Sequence, residues 1–327
     1  MRRILGLVVL LSACGGDPAP TAKLAHKPND AFDVYGQMAS AAAEAPCSSP
    51  PAAGPIPNAP KRADADFGVD VLFVYAHPED ETLFSPGTMA TLVKKKKRLF
   101  EEVMTHGEGG RLLEKDASGG VSERTGVPPL EVAKVRDKEF QRVMHVLGIP
   151  YEHMYPASAG GDFVAKDVEG HERAVHACGE TLEKWDQTLP GGVAGLLRKL
   201  VVAIRNQRPR VIVTHDARDD EDWLDHGHHK ALGMLVEMAA RAAADPRAPG
   251  GEPWVVEEVV TVAPKQVETK LAFDVGIDMR KKLMFENASQ FEPQKYAEVA
   301  QRSVERFVVR WDAKGVSGPV FGAMMAP

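Results

Sequence analysis

A run of five apolar residues, followed closely by a histidine and three acids, constrains the fold of this chain more than any other feature. The run is Val71–Tyr75, and after Ala76 come His77, Pro78 and Glu79–Glu81. A short apolar, β-branched run predicts a buried strand. Charged side chains at the carboxyl end of a central strand face the crevice in which open α/β sheets bind ligands, and they are costly to bury unless paired or bound to metal. This segment therefore predicts half of a metal site; for the motif alone, a strand followed by a polar turn is the alternative.

Strands that alternate with helices predict an α/β fold in which a mostly parallel sheet lies between two helical layers. The predicted strands are 71–75, 101–105, 211–214, 256–262, 269–273 and 306–311, and the predicted helices are 86–96, 130–147, 195–206, 279–289 and one that begins near residue 228. Ser85 is predicted to cap the first of these helices, and Gly148 to end the second. Residues 151–190 are rich in glycine and show no strong pattern, which predicts an irregular edge or lid.

Three histidines follow the predicted strand at 211–214 and predict the second half of the metal site. They are His226, His228 and His229. Two parallel strands end at the same edge of a sheet, so one of these histidines is expected to join His77 and Asp80 as the third zinc ligand, with the fourth position left for water. His226 and His229 share one side of a helical turn, and His228 is expected to point elsewhere. A solvated histidine-rich loop is the alternative.

The amino terminus predicts export and a lipid anchor. Arg2 and Arg3 precede a short apolar segment at 4–11, which is too short to span a bilayer. The Leu-Ser-Ala-Cys motif that ends at Cys14 resembles the lipobox of bacterial lipoproteins, which implies cleavage before Cys14 and a lipid on that residue. An ordinary secretory peptide is the alternative. The predicted location is the bacterial cell envelope, on the outer membrane or the periplasmic face.

The predicted domain organisation has three parts: a signal peptide over 1–13, a lipid-anchored Pro/Ala-rich tether over 14–65, and one domain over 66–327. A short helix around residues 31–45 is expected to interrupt the tether. Cys47 and Cys178 would lie in a compartment that permits disulfides, but their spacing does not decide whether they pair.

The composition limits the partners that the chain is expected to have. The formal charge is −6 and no large basic block is present, so nucleic acid is not an expected partner. The 44% content of hydrophobic residues supports a sizeable core. Nothing in the sequence predicts the oligomeric state.

Five motifs in order, between about residues 69 and 311, resemble the LmbE-like, or PIG-L, family of de-N-acetylases. Ala76–Glu81 resembles the family's Ala-His-Pro-Asp-Asp-Glu signature, and His226–Gly233 is similar to its His-Pro-Asp-His-Arg-Ala-Val-Gly pattern. The other matches are to its Thr-x-Gly-Glu turn, its Arg-x-x-Glu helix ending in Leu-Gly, and its Lys…His-x-Ser-Gln helix. These are found at Thr105–Gly110, at Arg136 and Glu139 with Leu147-Gly148, and at Lys282 with Asn287–Gln290.

This resemblance implies a Rossmann-like fold and a role for particular residues. It implies that His77, Asp80 and His229 bind zinc. It implies that Glu79 acts as the general base, that His226 stabilises the oxyanion and can protonate the leaving amine, and that Arg136 binds the sugar substrate. The implied reaction is zinc-dependent hydrolysis of an N-acetyl group from an N-acetylglucosamine-type sugar or glycoconjugate, which releases acetate.

Three positions depart from the family pattern. Glu79 replaces an aspartate, His228 replaces the aspartate of the second motif, and Asn287 replaces the usual histidine. The glutamate is one methylene longer, and a general base must lie within about 3 Å of the water that it deprotonates. Two alternatives therefore stay open: a non-catalytic or weakly catalytic glycan-binding surface module, and a metal hydrolase of another amide or ester. Iron or another divalent ion is an alternative to zinc.

Overall fold

A mixed seven-stranded sheet forms the centre of the protein. The structure is a computed structural model. It describes residues 34–45, 47, 49, 56–115, 120–163, 165–166, 172–173, 177–218, 227–262, 271–290, 299–316 and 318–326. The described strands are β1 (Val71–Tyr75), β2 (Leu99–Val103), β3 (Leu113–Lys115), β4 (Val121–Glu123), β5 (Tyr151–His153), β6 (Ala165–Lys166), β7 (Glu172–Arg173), β8 (Val211–Thr214), β9 (Glu258–Val262), β10 (Leu271–Asp274) and β11 (Val304–Asp312).

The described helices surround this sheet. They are α1 (Val34–Glu44), α2 (Asp80–Phe84), α3 (Pro86–Lys94), α4 (Pro129–Leu147), α5 (Cys178–Thr188), α6 (Gly192–Gln207), α7 (Gly227–Ala243), α8 (Asp278–Glu286) and α9 (Val320–Met325), with 3₁₀ helices at Asp64–Asp66 and Ala157–Ala159. Among the described residues, no helix combines the length and the apolar character that crossing a bilayer requires.

The strand order in the sheet is β10-β11-β9-β8-β1-β2-β5. The five strands from β9 to β5 are parallel, and β11 pairs antiparallel with both β9 and β10. Strand β1 pairs with β2 on one side and with β8 on the other, so the winding direction reverses between β1 and β8. The prediction of a mostly parallel α/β sheet is confirmed, and ligands of such sheets bind at this reversal point.

Alternate side chains of β1 enter two apolar clusters, one on each face of the sheet. Leu72 and Val74 belong to the cluster that contains residues of α1, α5, α6 and α7. Phe73 and Tyr75 belong to the cluster that contains residues of α2, α3, α4, α8 and α9. All four side chains are almost fully buried. A strand covered on both faces is a continuous apolar run, which is why β1 was predictable.

The cap of α3 differs from the prediction. The Ser85 side chain makes no capping hydrogen bond; its hydroxyl instead lies 2.7 Å from the Tyr75 hydroxyl. The carboxylate of Glu305 takes the capping role, because it accepts hydrogen bonds from the backbone N–H groups of Gly87 (2.9 Å) and Thr88 (2.8 Å). The prediction that Gly148 ends α4 is confirmed, since this glycine has the left-handed conformation with φ +71°.

The prediction of an irregular segment over residues 151–190 was wrong in two places. Edge strand β5 begins this segment, and helix α5 occupies Cys178–Thr188. Leu182 and Trp185 lie on one side of α5 and are buried in the core. The Trp185 indole N–H donates to the Gly161 carbonyl oxygen over 2.7 Å. The apolar spacing of α5 was obscured by the glycine-rich stretch that precedes it.

Helix α1 packs on the domain, and a disulfide follows it. Tyr35 and Met38 of α1 are buried in the same cluster as the apolar side of α6. Cys47 and Cys178 form a disulfide with Cα atoms 6.3 Å apart, within the usual range. The folded domain therefore includes residues that were predicted to belong to the 14–65 tether. The predicted signal peptide and Cys14 lie outside the described residues.

Candidate metal centre

The carboxyl ends of β1 and β8 bring two polar segments together at the point where the sheet reverses its winding. His77 and Asp80 follow β1, and the first turn of α7 carries His228 and His229. Helix α7 comes close to the loop after β8 because residue 233 is glycine. A Cβ atom at Gly233 would lie 2.3 Å from the carbonyl oxygen of His215, so a larger residue would push the histidines of α7 away from the edge of the sheet.

The structure brings together the three residues that the resemblance assigned to zinc. His229 Nε2 lies 3.2 Å from His77 Nδ1 and 3.2 Å from Asp80 Oδ1, and His77 Nδ1 lies 3.5 Å from Asp80 Oδ2. All three side chains are buried. Asp80 Oδ2 accepts the backbone N–H groups of His77 (2.8 Å) and Ala76 (3.1 Å), which hold the carboxylate in place.

This donor set fits a divalent metal ion. The ligand atoms lie within 4.8 Å of one another, and two imidazoles with one carboxylate are a donor set that zinc prefers. Asp80 Oδ1 is buried and makes no hydrogen bond. Burial opposes charge on Asp80, but the His229 and His215 rings hold its pKa well below the usual range. Burial likewise opposes charge on His77, yet Asp162 and Asp80 raise its pKa to about 9. The site therefore favours positive charge at its centre.

His215 belongs to this site and was missed in the sequence. Its Nε2 atom lies 3.1 Å from Asp80 Oδ2, and its ring stacks on His229 with centroids 3.9 Å apart and planes at 6°. Burial and the neighbouring His229 lower the pKa of His215 to about 3, so the ring is neutral. Its position directly after β8 is the signal that could have revealed it.

The expectation that His228 points elsewhere was wrong. His228 Nδ1 lies 3.0 Å from His77 Nε2, and Asp162 Oδ1 lies 3.5 Å from His228 Nδ1 and 3.6 Å from His77 Nε2. Because α7 starts at Gly227, His228 lies in its first turn, where it also stacks against Trp185. His228 and Asp162 thus orient the His77 ring from the side opposite Asp80, in the way that outer partners orient metal-ligating histidines.

Asp162 is held in place by the turn that follows β2. Its Oδ2 atom accepts the Gly109 N–H over 3.0 Å. Glu108 accepts the backbone N–H groups of His106 (3.0 Å) and Asp162 (3.3 Å). The Thr-x-Gly-Glu turn therefore positions a carboxylate beside His77. No sequence pattern in residues 151–190 identified Asp162.

Glu79 lies beside the three ligands and is paired with Arg136. Its Oε2 atom is 3.4 Å from Arg136 Nη1. Burial raises the pKa of Glu79 to about 7, and the Arg136 charge opposes this rise. A carboxylate with a pKa near neutrality can accept and return a proton. Arg136 is buried, and a Cβ atom at Gly110 would lie 2.1 Å from its Nη2 atom, so the glycine turn closes over the guanidinium group.

Residues of two further motifs hold the loop that carries His77 in place. Glu139 accepts hydrogen bonds from the Ser289 N–H (3.0 Å) and the Ser289 hydroxyl (2.7 Å). The Gln290 amide donates to the Pro78 carbonyl oxygen over 3.0 Å. The segment after α8 is thus tied both to α4 and to the loop that carries His77.

Asn287 is fully buried, and its amide donates to the Thr82 hydroxyl over 3.0 Å, so it serves the packing of α2 against α8. His226 lies outside the described residues, and its catalytic role stays a prediction.

Comparison with known proteins gives a consistent result. The PIG-L family model, described as GlcNAc-PI de-N-acetylase, matches residues 72–240. The 1D-myo-inositol 2-acetamido-2-deoxy-alpha-D-glucopyranoside deacetylase of Thermobispora bispora is 26% identical over 201 residues, which are 60% of this chain and 60% of that protein. The enzyme of that name from Segniliparus rotundus is 28% identical over 58% of this chain and 56% of its own. The match spans about three-fifths of the length of these curated relatives.

Solved structures share the fold at low sequence identity. The N,N'-diacetylchitobiose deacetylase of Pyrococcus horikoshii aligns with a TM-score of 0.50 and 15% identity, over 73% of this chain and 83% of its own. The 4-carboxy-2-hydroxymuconate hydratase GalB of Pseudomonas putida aligns with a TM-score of 0.53 and 14% identity, over 77% of this chain and 100% of its own. These likenesses support the fold alone. The family match covers more than half of the chain, and the chain therefore belongs to the PIG-L family.

Proposed function

We propose that this protein is a metal-dependent hydrolase that removes the N-acetyl group from an N-acetylglucosamine-type sugar or glycoconjugate and releases acetate. One observation carries the proposal: His77, Asp80 and His229 converge in a buried site with Glu79 beside them. The family description and the names of the curated relatives, which are deacetylases of an acetamido sugar, support the same reaction.

Zinc held by His77, Asp80 and His229 would supply a Lewis acid that lowers the pKa of water to about 7 and polarises the acetamide carbonyl. Glu79 accepts the proton of the attacking water, whose oxygen forms a bond to the carbonyl carbon. The C–N bond then breaks, and Glu79 or His226 gives a proton to the departing amine. Arg136 keeps Glu79 oriented and lowers the cost of its ionised form.

Zinc is the ion that we propose, because two histidines and one aspartate with an open position are typical of catalytic zinc sites. Ferrous iron also accepts imidazole and carboxylate ligands. Metal analysis of the purified protein distinguishes the two.

We also propose that the protein acts at the bacterial cell envelope, anchored through a lipid on Cys14. The lipobox-like motif supports this location, and the Cys47–Cys178 disulfide agrees with an oxidising compartment. The substrate class would then be an envelope glycan, a glycolipid or an amino sugar acquired from outside the cell.

A glycan-binding module without catalysis is the second candidate. The longer Glu79 and the replacement of an aspartate by His228 favour it, and a hydratase on the same fold shows that this architecture does not determine the chemistry. Retention of all three predicted ligands in one buried cluster favours the enzyme.

The test measures metal content and acetate release on one preparation of the mature chain, with N-acetylglucosamine derivatives as substrates. Asp80→Ala is expected to lose the metal and the activity together. Glu79→Ala is expected to keep the metal and lose turnover by roughly 10² to 10⁴-fold, the contribution of a general base. Glu131→Ala is the control, because the Glu131 side chain is 54% exposed.

Each outcome decides between the candidates. Full activity of Glu79→Ala would refute its role as the base. Bound metal without acetate release from any N-acetylated sugar would favour the glycan-binding module, and Glu79→Asp would then show whether one methylene is responsible. A wild-type chain that binds no divalent metal would refute the site.

A further inference from the structure

A basic surface lies at the amino ends of the parallel strands, on the edge of the sheet opposite the candidate metal centre. Val71 at the start of β1 pairs with both Leu99 of β2 and Val211 of β8. Val211 in turn pairs with Glu258 at the start of β9. The four strands therefore begin side by side. The segments that lead into them form one surface, which we call the amino-end edge.

Basic side chains outnumber acidic ones at the amino-end edge, although the chain as a whole has a formal charge of −6. The basic residues come from several separate segments, so no single block in the sequence reveals them. They are Lys61, Arg62, Lys94, Lys95, Lys96, Lys97, Arg98, Arg205, Arg208, Arg210, Arg247 and Lys314, and the acidic residues are Asp64, Asp66, Asp70, Asp245, Glu252, Glu257 and Asp312. Positive charge is thus concentrated on one side of an acidic protein.

The arginines of this edge pair with its carboxylates and with backbone carbonyls. Arg98 Nη2 lies 3.2 Å from Asp70 Oδ1, and Arg98 Nη1 donates to the Phe67 carbonyl oxygen over 2.6 Å. Arg210 Nε lies 2.6 Å from Glu257 Oε2. These pairs neutralise buried carboxylates and join the starts of neighbouring strands, so the arginines mainly build the edge.

The lysines of this edge are left for a partner. Lys61, Lys94, Lys96 and Lys314 are exposed, and within the described part of the chain their ammonium groups make no hydrogen bond or ion pair. A lysine ammonium is a flexible point charge rather than a fixed fork. Separate point charges spread along one edge suit a surface that carries many negative groups, because they do not converge on a single anion.

The described part of the domain also begins on this side. The Lys314 backbone N–H donates to the Pro57 carbonyl oxygen over 2.8 Å, which holds the segment before β1 against the amino-end edge. The Tyr35 hydroxyl donates to the Pro249 carbonyl oxygen in the loop before β9. Helix α1 therefore starts beside the lysines, and Cys14 precedes it in the chain.

We propose that the amino-end edge is a docking surface for the anionic headgroups of a phospholipid bilayer. Each lysine close to an anionic membrane surface strengthens binding roughly fivefold, so the four exposed lysines together would supply a large factor. The inference rests on the proposed location at the cell envelope and not on the proposed deacetylation.

Docking in this way would fix the direction in which the candidate active site faces. His77 and Asp80 follow the carboxyl end of β1, and the lysines surround the amino ends of the same strands. The metal centre would therefore face away from the lipid, and a substrate would reach it from the aqueous side. Among the substrate classes proposed above, this orientation favours a glycan or an amino sugar in solution over a glycolipid of the same bilayer.

The test is co-sedimentation of the full mature chain with vesicles at low ionic strength. The chain carries Cys14→Ser, so that no lipid is attached and only the protein surface can bind. It is expected to bind vesicles of phosphatidylglycerol and phosphatidylcholine in equal parts, and not vesicles of phosphatidylcholine alone. Added salt should release it, because salt screens exposed charges. Equal binding to the two kinds of vesicle, or binding to neither, would overturn the proposal.

Two pairs of substitutions test whether the whole edge takes part. Lys94→Gln/Lys96→Gln and Lys61→Gln/Lys314→Gln each remove two positive charges at exposed positions. Each pair is expected to weaken binding to the anionic vesicles roughly 30-fold. Unchanged binding of either pair would overturn the proposal, because the lysines would then not act as one surface.

The matched control is Lys134→Gln/Lys138→Gln, which removes the same charge from exposed positions of α4 outside the amino-end edge. It should bind the anionic vesicles as tightly as its parent chain. An equal loss in this control would overturn the proposal, because binding would then follow total charge rather than one surface.

Amine labelling tests the orientation without any lysine substitution. On the anionic vesicles, a water-soluble amine reagent should modify Lys94 and Lys96 less than it does in the free chain, and Lys134 and Lys138 to the same extent. Equal modification of all four lysines on the vesicles and in solution would overturn the proposal.

Discussion

Loss of the Cys47–Cys178 disulfide is expected to destabilise the domain by up to about 5 kcal/mol. The bond joins residues 131 positions apart. Closing a loop of that length removes roughly 17 cal/mol/K of entropy from the unfolded chain, which is about 5 kcal/mol at 25 °C. A domain is usually stable by about 5–15 kcal/mol, so this one bond is expected to supply a large fraction of the stability and to keep α1 on α6.

Urea unfolding followed by circular dichroism measures this effect. The double variant Cys47→Ala/Cys178→Ala and the wild type with a reductant are compared with the oxidised wild type, and the reduced wild type controls for the substitutions. Both samples should lose several kcal/mol of unfolding free energy. A loss below about 1 kcal/mol, well under the usual contribution of a native disulfide, would show that the bond does not stabilise the domain in this way. Two free thiols at positions 47 and 178 in the native protein would show that the bond does not form.

Three further predictions concern the candidate active site. Burial raises the pKa of Glu79 and Arg136 lowers it, so Arg136→Gln should move the acidic limb of the kcat/KM profile to higher pH; an unmoved limb would show that the pair is not coupled. His228→Ala should weaken metal binding by about 10- to 100-fold, because His77 loses an outer partner; chelator competition that shows equal affinity would disprove this role. Gly110→Ala would place a Cβ atom 2.1 Å from Arg136 Nη2 and should lower kcat/KM, whereas Gly179→Ala meets no atom within 4 Å and serves as the control; equal kinetics of the two variants would contradict the crowding.

The parts of the fold that the sequence predicted are those with a strong local pattern. Val71–Tyr75 and Val211–Thr214 are buried on both faces, so each is an uninterrupted apolar run with polar residues at its carboxyl end. The long helix α4 has a clear apolar stripe and a glycine stop. Edge strand β5 has only three residues and is partly exposed, so neither its length nor its pattern distinguished it from a loop.

The candidate site also contains some residues that the sequence pattern revealed and others that it did not. His77 and Asp80 were predictable because they lie just after a strand, and one histidine of the segment after β8 was expected to join them at the same edge of the sheet. The choice of His229 came from the family resemblance. Asp162 reaches His77 across a long irregular segment, and a contact of that kind leaves no periodic pattern in the sequence. The direction of His228 depends on where α7 starts and on the Trp185 ring that packs against it, and both are products of tertiary packing.

Removal and return of the metal tests most directly the central claim that His77, Asp80 and His229 hold an ion that drives hydrolysis. Acetate release from an N-acetylglucosaminyl substrate is measured before chelation, after chelation and after zinc is added back, in the wild type and in Asp80→Asn. The stripped wild type should lose activity and regain it with zinc, and Asp80→Asn should stay inactive throughout. Acetate release that persists at the original rate in the stripped protein would show that no metal ion at these residues drives hydrolysis.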